Sequence, residues 1–154
     1  MDGRMLTAGN DMGAEMTTIV RPSAAGRVTR FAAQELADYL SRMTATKIPV
    51  GEAAAPPAIR LELAPDDGNL AAVDAFAIRE HAGVVTLRSA TPRGLLLAAY
   101  GYLSRLGCRF LMPGRDGEFV PACREPILRG IDTVESPPSA ENRSSRQTPN
   151  WRSR

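Results

Sequence analysis

Ser89-Ala-Thr-Pro-Arg-Gly-Leu-Leu-Leu-Ala-Ala-Tyr-Gly-Tyr-Leu-Ser-Arg-Leu-Gly107, followed by Cys108-Arg-Phe-Leu-Met-Pro113, reads as a helix with both ends written into it. Thr91 is the N-cap, because its hydroxyl can accept from a free first-turn N–H. Pro92 takes the first helical position, where its missing N–H costs nothing. Leu95, Ala99, Tyr102, Leu103 and Leu106 recur at i, i+4, i+7, i+8 and i+11, one apolar stripe. Gly107 follows as a left-handed C-terminal cap. Cys108, Phe110 and Met112 then alternate with Arg109 and Leu111, a short strand stopped by Pro113-Gly114.

The same helical spacing occurs earlier, in Ala32, Leu36, Tyr39, Leu40 and Met43 within Val28–Met43. Gln34, Glu35, Asp38 and Arg42 occupy its other side. Two singly striped helices separated by strands imply that both lie on a sheet. Thr17–Val20 is β-branched and reads as a strand. Lys47–Gly51 reads as an edge strand, since Pro49 cannot donate to a ladder. Ala58–Leu63 alternates apolar and charged residues, a half-buried strand. Phe76–Arg79 and Val85–Arg88 form a hairpin joined by Glu80-His-Ala-Gly83. Gly117–Pro121 adds a last short strand. The expected fold is α+β, a mainly antiparallel sheet with two helices packed on one face; a ferredoxin-like plait is the generic alternative.

Composition narrows the function. The chain has 154 residues, 44% apolar and 23% charged, which suits a globular domain with a real core. Its net charge is +2, and the segment from Glu135 onward holds four arginines and two acids, leaving a body with 15 basic and 15 acidic residues. A neutral body lacks the footprint of a phosphate-backbone binder, so nucleic acid is not an expected partner. No apolar run approaches the roughly 20 residues of a membrane span, so no membrane is expected either. Residues 1–15, acidic and without an apolar centre, read as a mobile leader rather than a secretory signal, which points to a cytoplasmic chain. Residues 16–134 read as the domain and 135–154 as a disordered polar tail. In such a chain Cys108 and Cys123 are expected as free thiols, with a disulfide as the alternative.

Phe31–Val50, with its helix-then-strand run, resembles the first helix and following strand of the N-terminal domain of family 67 α-glucuronidases. The same domain type precedes the barrel in family 20 β-hexosaminidases, where it is domain 2. Asp74–Arg79, Val84–Arg88 and the run Thr91-Pro-Arg-Gly94 to Leu106-Gly-Cys-Arg-Phe110 look like the rest of that domain. Gly117–Pro121 is similar to its closing segment and Ile131–Pro137 to its exit strand, so the resemblance covers about Thr17 to Val134. It implies a non-catalytic accessory domain whose partner is a (β/α)8 catalytic barrel, normally in the same chain, with carbohydrate as a further ligand. It also suggests that the reading frame is truncated or shifted near Pro137. No catalytic residue of either family has a matching position here, so the resemblance supplies no catalytic, metal or cofactor site.

The residues themselves offer little chemistry. His81 reads as a solvated hairpin residue; a pair with Cys108 or Cys123 would lack an orienting third group. One histidine and two distant cysteines make no zinc pattern. Glycoside hydrolysis needs two carboxylates flanking the bond. Glu35 and Asp38 read instead as a solvated helix face, Asp66-Asp67 as a turn, and Asp116 and Glu118 as flanks of Gly117. The N–H groups ahead of the second helix, with Arg93 beside them, could hold an anion, but capping by Thr91 already accounts for them. Arg105 and Arg109 are candidates for pairing across a domain interface. Three observations would separate the functional readings. An exposed apolar patch favours a brace for a barrel. Exposed loop aromatics favour sugar binding. A perturbed titratable group in a deep pocket favours an enzyme.

Overall fold

A computed structural model describes residues 16–136; the leader (1–15) and residues 137–154 of the tail lie outside the described residues. The chain runs β1 (Thr18–Val20), α1 (Arg27–Thr44), β2 (Val50–Gly51), β3 (Ala58–Leu63), β4 (Phe76–His81), β5 (Val84–Ser89), α2 (Pro92–Arg105), β6 (Arg109–Phe110), β7 (Glu118–Phe119) and β8 (Asp132–Glu135). Six strands form one sheet in the order β2-β1-β3-β5-β4-β8.

The class is α+β, as the two helical stripes and the alternating strands required. The strand directions differ from expectation. The pairings β1–β2, β1–β3 and β3–β5 are parallel, and only β4–β5 and β4–β8 are antiparallel. The sheet is therefore mixed rather than mainly antiparallel. The cause is α1, which carries the chain back along the sheet between β1 and β2, so the next strand enters in the same direction. Pro49 marks an edge as expected, because β2 is the outer strand.

Cross-strand register sets the core. Ile19, Ile59 and Val85 stand in one row and Leu61, Leu87 and Ile78 in the next, all on the side of the helices. They pack with Leu36 and Leu40 of α1 and Leu95, Tyr102 and Leu103 of α2 in one buried cluster. Each of these large side chains contributes about 1.5–3 kcal/mol by leaving water. The opposite face carries Arg60, Glu62, Thr86, Arg88 and Arg79. There Arg88 pairs with Glu62 at 2.6 Å and with Asp67 at 3.1 Å.

Both caps of α2 are as read. The Thr91 hydroxyl accepts from Gly94 N–H at 3.0 Å, and Gly107 has φ +105°. Gly94 has a further role, because a Cβ there would overlap the Ser89 hydroxyl and stand 3.0 Å from the Ala75 carbonyl. The first turn of α2 therefore lies directly on the end of the β4–β5 hairpin. The hairpin turn is tighter than expected. It is only Ala82-Gly83, both at positive φ (49° and 81°), while Glu80 and His81 remain in β4. Downstream, the buried Tyr102 hydroxyl donates to the Pro126 carbonyl at 2.5 Å and accepts from Leu128 N–H at 3.1 Å, tying the approach to β8 onto the core. Glu135, placed in the tail by composition, is the last residue of β8, paired with Phe76.

Candidate functional site

The expected strand after α2 proves to be something else. Only Arg109 and Phe110 are extended, both exposed, and they pair with β7 in a separate two-stranded sheet. Together, 109–119 form an arm standing at the C-terminal ends of the helices. Its turn is tightly built. Leu111 N–H donates to the Gly117 carbonyl at 2.8 Å, and Gly117 N–H to the Gly114 carbonyl at 3.1 Å. Gly117 packs so closely on Met112 that any side chain there would collide with that residue's backbone.

Two tyrosines anchor the arm to the helix layer. Phe110 lies edge-on between Tyr39 of α1 and Tyr100 of α2, each ring centroid 5.4 Å away. Glu118 accepts from the Tyr39 hydroxyl at 2.7 Å and from Arg42 at 2.9 Å. These two donors hold its carboxyl below the usual glutamate range, the Tyr39 bond acting most strongly. Tyr39 responds in the opposite sense: burial first, then the Glu118 bond, pushes its phenol up to about 12. Tyr100 donates to Glu35 at 2.6 Å and is likewise raised, mainly by burial.

What this arrangement presents to solvent is apolar. Phe31 is 50% exposed, Val28 42%, Leu97 37% and Phe110 38%, and at the tip of the arm Leu111 reaches 78% and Met112 63%. Val28, Phe31 and Leu96 line a shallow cavity of about 590 Å³ with Arg27 and Arg30 at its rim. A second cavity of about 540 Å³ lies between Tyr39, Tyr100, Phe110, Met112 and Glu118. The outer side of the helix layer, facing away from the sheet, thus carries apolar surface at its two ends, Val28 and Phe31 with Leu97 at one and Phe110 to Met112 at the other, with the polar Gln34 and Asp38 of α1 between them. Lone soluble domains rarely expose apolar patches beyond about 300–600 Å².

The other candidate residues are accounted for locally. Glu35 and Asp38 do not face a common point: one accepts from Tyr100, the other from Gln34 at 2.8 Å. Asp67 accepts from Asn69 N–H in its turn and pairs with Arg88. Arg93 pairs with Asp74 at 3.0 Å, so it does not stand ready for an anion. Arg105 is committed within the domain, to Glu135 and to the Gly101 carbonyl, and Arg109 donates to the Ser104 and Cys108 carbonyls. His81 is an exposed β4 residue. Both cysteines are free; Cys108 is buried 3.8 Å from the Met43 sulfur, and the Cys123 thiol donates to the Glu125 carbonyl. Burial raises the Cys108 thiol, the reverse of what a nucleophile needs. Among the described residues no three histidine, cysteine or acidic side chains are grouped to hold a metal ion. No helix of the described chain is long and apolar enough to cross a membrane.

The sequence places Tyr39 in the apolar stripe of the first helix and Phe110 in a strand that follows the second. The missed signal was Leu111-Met112-Pro113-Gly114, two large apolar residues followed by a turn that cannot extend into the sheet.

With the fold and the face established, similarity to solved structures can be placed. The likeness is one of fold, to a part of two glycoside hydrolase family 20 β-N-acetylhexosaminidases. The N-acetyl-β-hexosaminidase of Streptomyces plicatus aligns with a TM-score of 0.56 at 23% identity over 79% of this chain. The family 20 β-N-acetylhexosaminidase of Streptomyces coelicolor aligns with a TM-score of 0.57 at 21% identity over 81% of it. This chain spans only 22% of the length of each of those proteins. No protein-family model matches the sequence, and no curated protein matches it. The α-glucuronidase side of the resemblance rests on the quoted residues alone.

Proposed function

We propose that this chain is a non-catalytic accessory domain of a glycoside-hydrolase-related protein, and that it braces a (β/α)8 catalytic barrel by packing the outer face of its helix layer against it. The observation that carries this reading is the exposed apolar surface on that layer, Val28 and Phe31 at one end and Phe110, Leu111 and Met112 at the other, the second held in place by the Tyr39–Phe110–Tyr100 wedge. Apolar area removed from water stabilises by roughly 25 cal/mol per Å², so a covered face of this kind holds two domains in fixed register. The fold likeness to a segment of family 20 hexosaminidases supports it. So does the separation of Glu35 and Asp38, which bond Tyr100 and Gln34 respectively rather than facing each other as the carboxylate pair of glycoside hydrolysis does. The barrel's own chemistry would be that of a β-hexosaminidase or, by the sequence resemblance, an α-glucuronidase.

A stand-alone carbohydrate-binding module is the other reading. Stacking on sugar needs a free ring face. Tyr39 is only 8% exposed with Arg42 5.2 Å over its ring, and Phe110 is wedged edge-on between two tyrosines, so these two rings serve packing.

The test is to assay the purified chain on aryl N-acetylhexosaminides and aryl glucuronides beside a thermal melt. A cooperative melt without turnover is expected. Turnover abolished by Glu35→Gln or Glu118→Gln would overturn the reading, and calorimetric binding of N-acetylglucosamine oligosaccharides would favour the module.

A further inference from the structure

We propose that a second copy of this chain covers the same helix face, turned antiparallel about a two-fold axis, with the Leu111–Met112 tip of each copy seated in the Val28/Phe31/Leu96 cavity of the other. Three observations lead there. First, the face is polar in shape. The two helices run in the same direction, since Phe31 meets Leu96, Glu35 bonds Tyr100, and Tyr39 meets Phe110 beyond the end of α2. The open cavity of about 590 Å³ therefore lies at the N-terminal ends and the projecting apolar tip at the C-terminal ends. A knob and a hole at opposite ends of one surface match each other only when a second copy is reversed, and the two contacts are then equivalent.

Second, the crest of α1 is symmetric under that reversal. Arg27, Phe31, Gln34 and Asp38 are all exposed and follow i, i+4, i+7, i+11 spacing. In an antiparallel helix pair this stripe layers Arg27 against Asp38 of the other copy and Phe31 against its Gln34. Third, the charges await that arrangement. Neither Arg27 nor Asp38 forms an ion pair among the described residues, and the Asp38 carboxylate accepts from the neutral Gln34 amide of its own helix at 2.8 Å. The opposite face of the sheet is charged and offers no alternative cover.

The inference is independent of the accessory-domain reading, and the two fail separately. Turnover by the chain would end that reading and leave the pair untouched, whereas a monomer would end the pair and leave that reading untouched. Because both use one face, a bound barrel and a second copy exclude each other.

The test is sedimentation equilibrium of the full 154-residue chain from about 1 to 100 μM, a span that brackets weak but specific association. A dimer is expected. Leu111→Asp should raise its dissociation constant about tenfold or more, as loss of a central apolar anchor does, while Arg60→Glu on the far sheet face should leave it unchanged. Asp38→Arg should weaken it several-fold, and the double variant Arg27→Asp/Asp38→Arg should restore it; all these sites are on the surface, and a melt of each variant confirms folding. A monomer throughout, a dimer indifferent to Leu111→Asp, failure of the charge swap to restore association, or open-ended oligomers would each overturn the proposal.

Discussion

Tyr102 shows how much one side chain carries in this domain. Its ring is fully buried in the core, and its hydroxyl satisfies both the Pro126 carbonyl and the Leu128 N–H. Tyr102→Phe keeps the ring but strands two backbone groups, and is expected to cost about 1–3 kcal/mol, read as a lower midpoint in urea at unchanged slope. Glu118 makes a prediction in pH. Its folded carboxyl titrates below the ordinary value, so its contribution is present above the unfolded value of 4.5 and is lost as pH falls through the folded one. The wild-type melting temperature should therefore drop on acidification below about pH 4.5 more steeply than that of Glu118→Gln. Neither role was legible in the sequence: Tyr102 read correctly as a stripe residue, but its hydroxyl's partners are 24 and 26 residues away. Glu118 read as a turn flank because nothing local indicates that Tyr39 and Arg42 lie beside it.

The elements divide according to whether their determinants are local. α2 was legible end to end, because Thr91, Pro92 and Gly107 act within a turn of where they stand. Thr91→Ala should cost about 1 kcal/mol of stability in a denaturant titration. The loss should fall toward the upper end of the usual range, since the same hydroxyl also donates to the Val73 carbonyl at 3.1 Å. Gly94→Ala should be worse than its helix propensity suggests, because its methyl meets Ser89 rather than solvent. Strand direction was not legible. Alternation in Ala58–Leu63 reports that one face is buried and says nothing of which way the neighbour runs. That information lay in the connection: a helix between two strands is a crossover, and α1 was such a helix. The arm at 109–119 was misread for a related reason, since alternation over Cys108–Met112 is equally consistent with a ribbon standing clear of the sheet.

At the scale of the molecule, the sheet face pairs its charges internally, while the helix face leaves Val28, Phe31 and Leu97 exposed at one end and Phe110, Leu111 and Met112 at the other. Dyes that fluoresce in apolar environments should bind the folded chain, and Phe31→Ser should reduce that binding while changing unfolding free energy by less than about 0.5 kcal/mol, the usual range for an exposed site. A parallel loss of stability would mean that Phe31 supports the fold rather than the face. The edge strand β8 has a different consequence. It lies outermost beside β4, with its last residue, Glu135, paired to Phe76 and tied to Arg105. Because β8 runs antiparallel to β4, a force applied to the chain beyond Glu135 loads those attachments first and then the pairs Ala77–Val134, Ile78–Thr133 and Arg79–Asp132 in turn. A force directed away from the sheet at this end would open these pairs one at a time, beginning with Phe76–Glu135, before it reached the Tyr102 anchor of the segment ahead of β8.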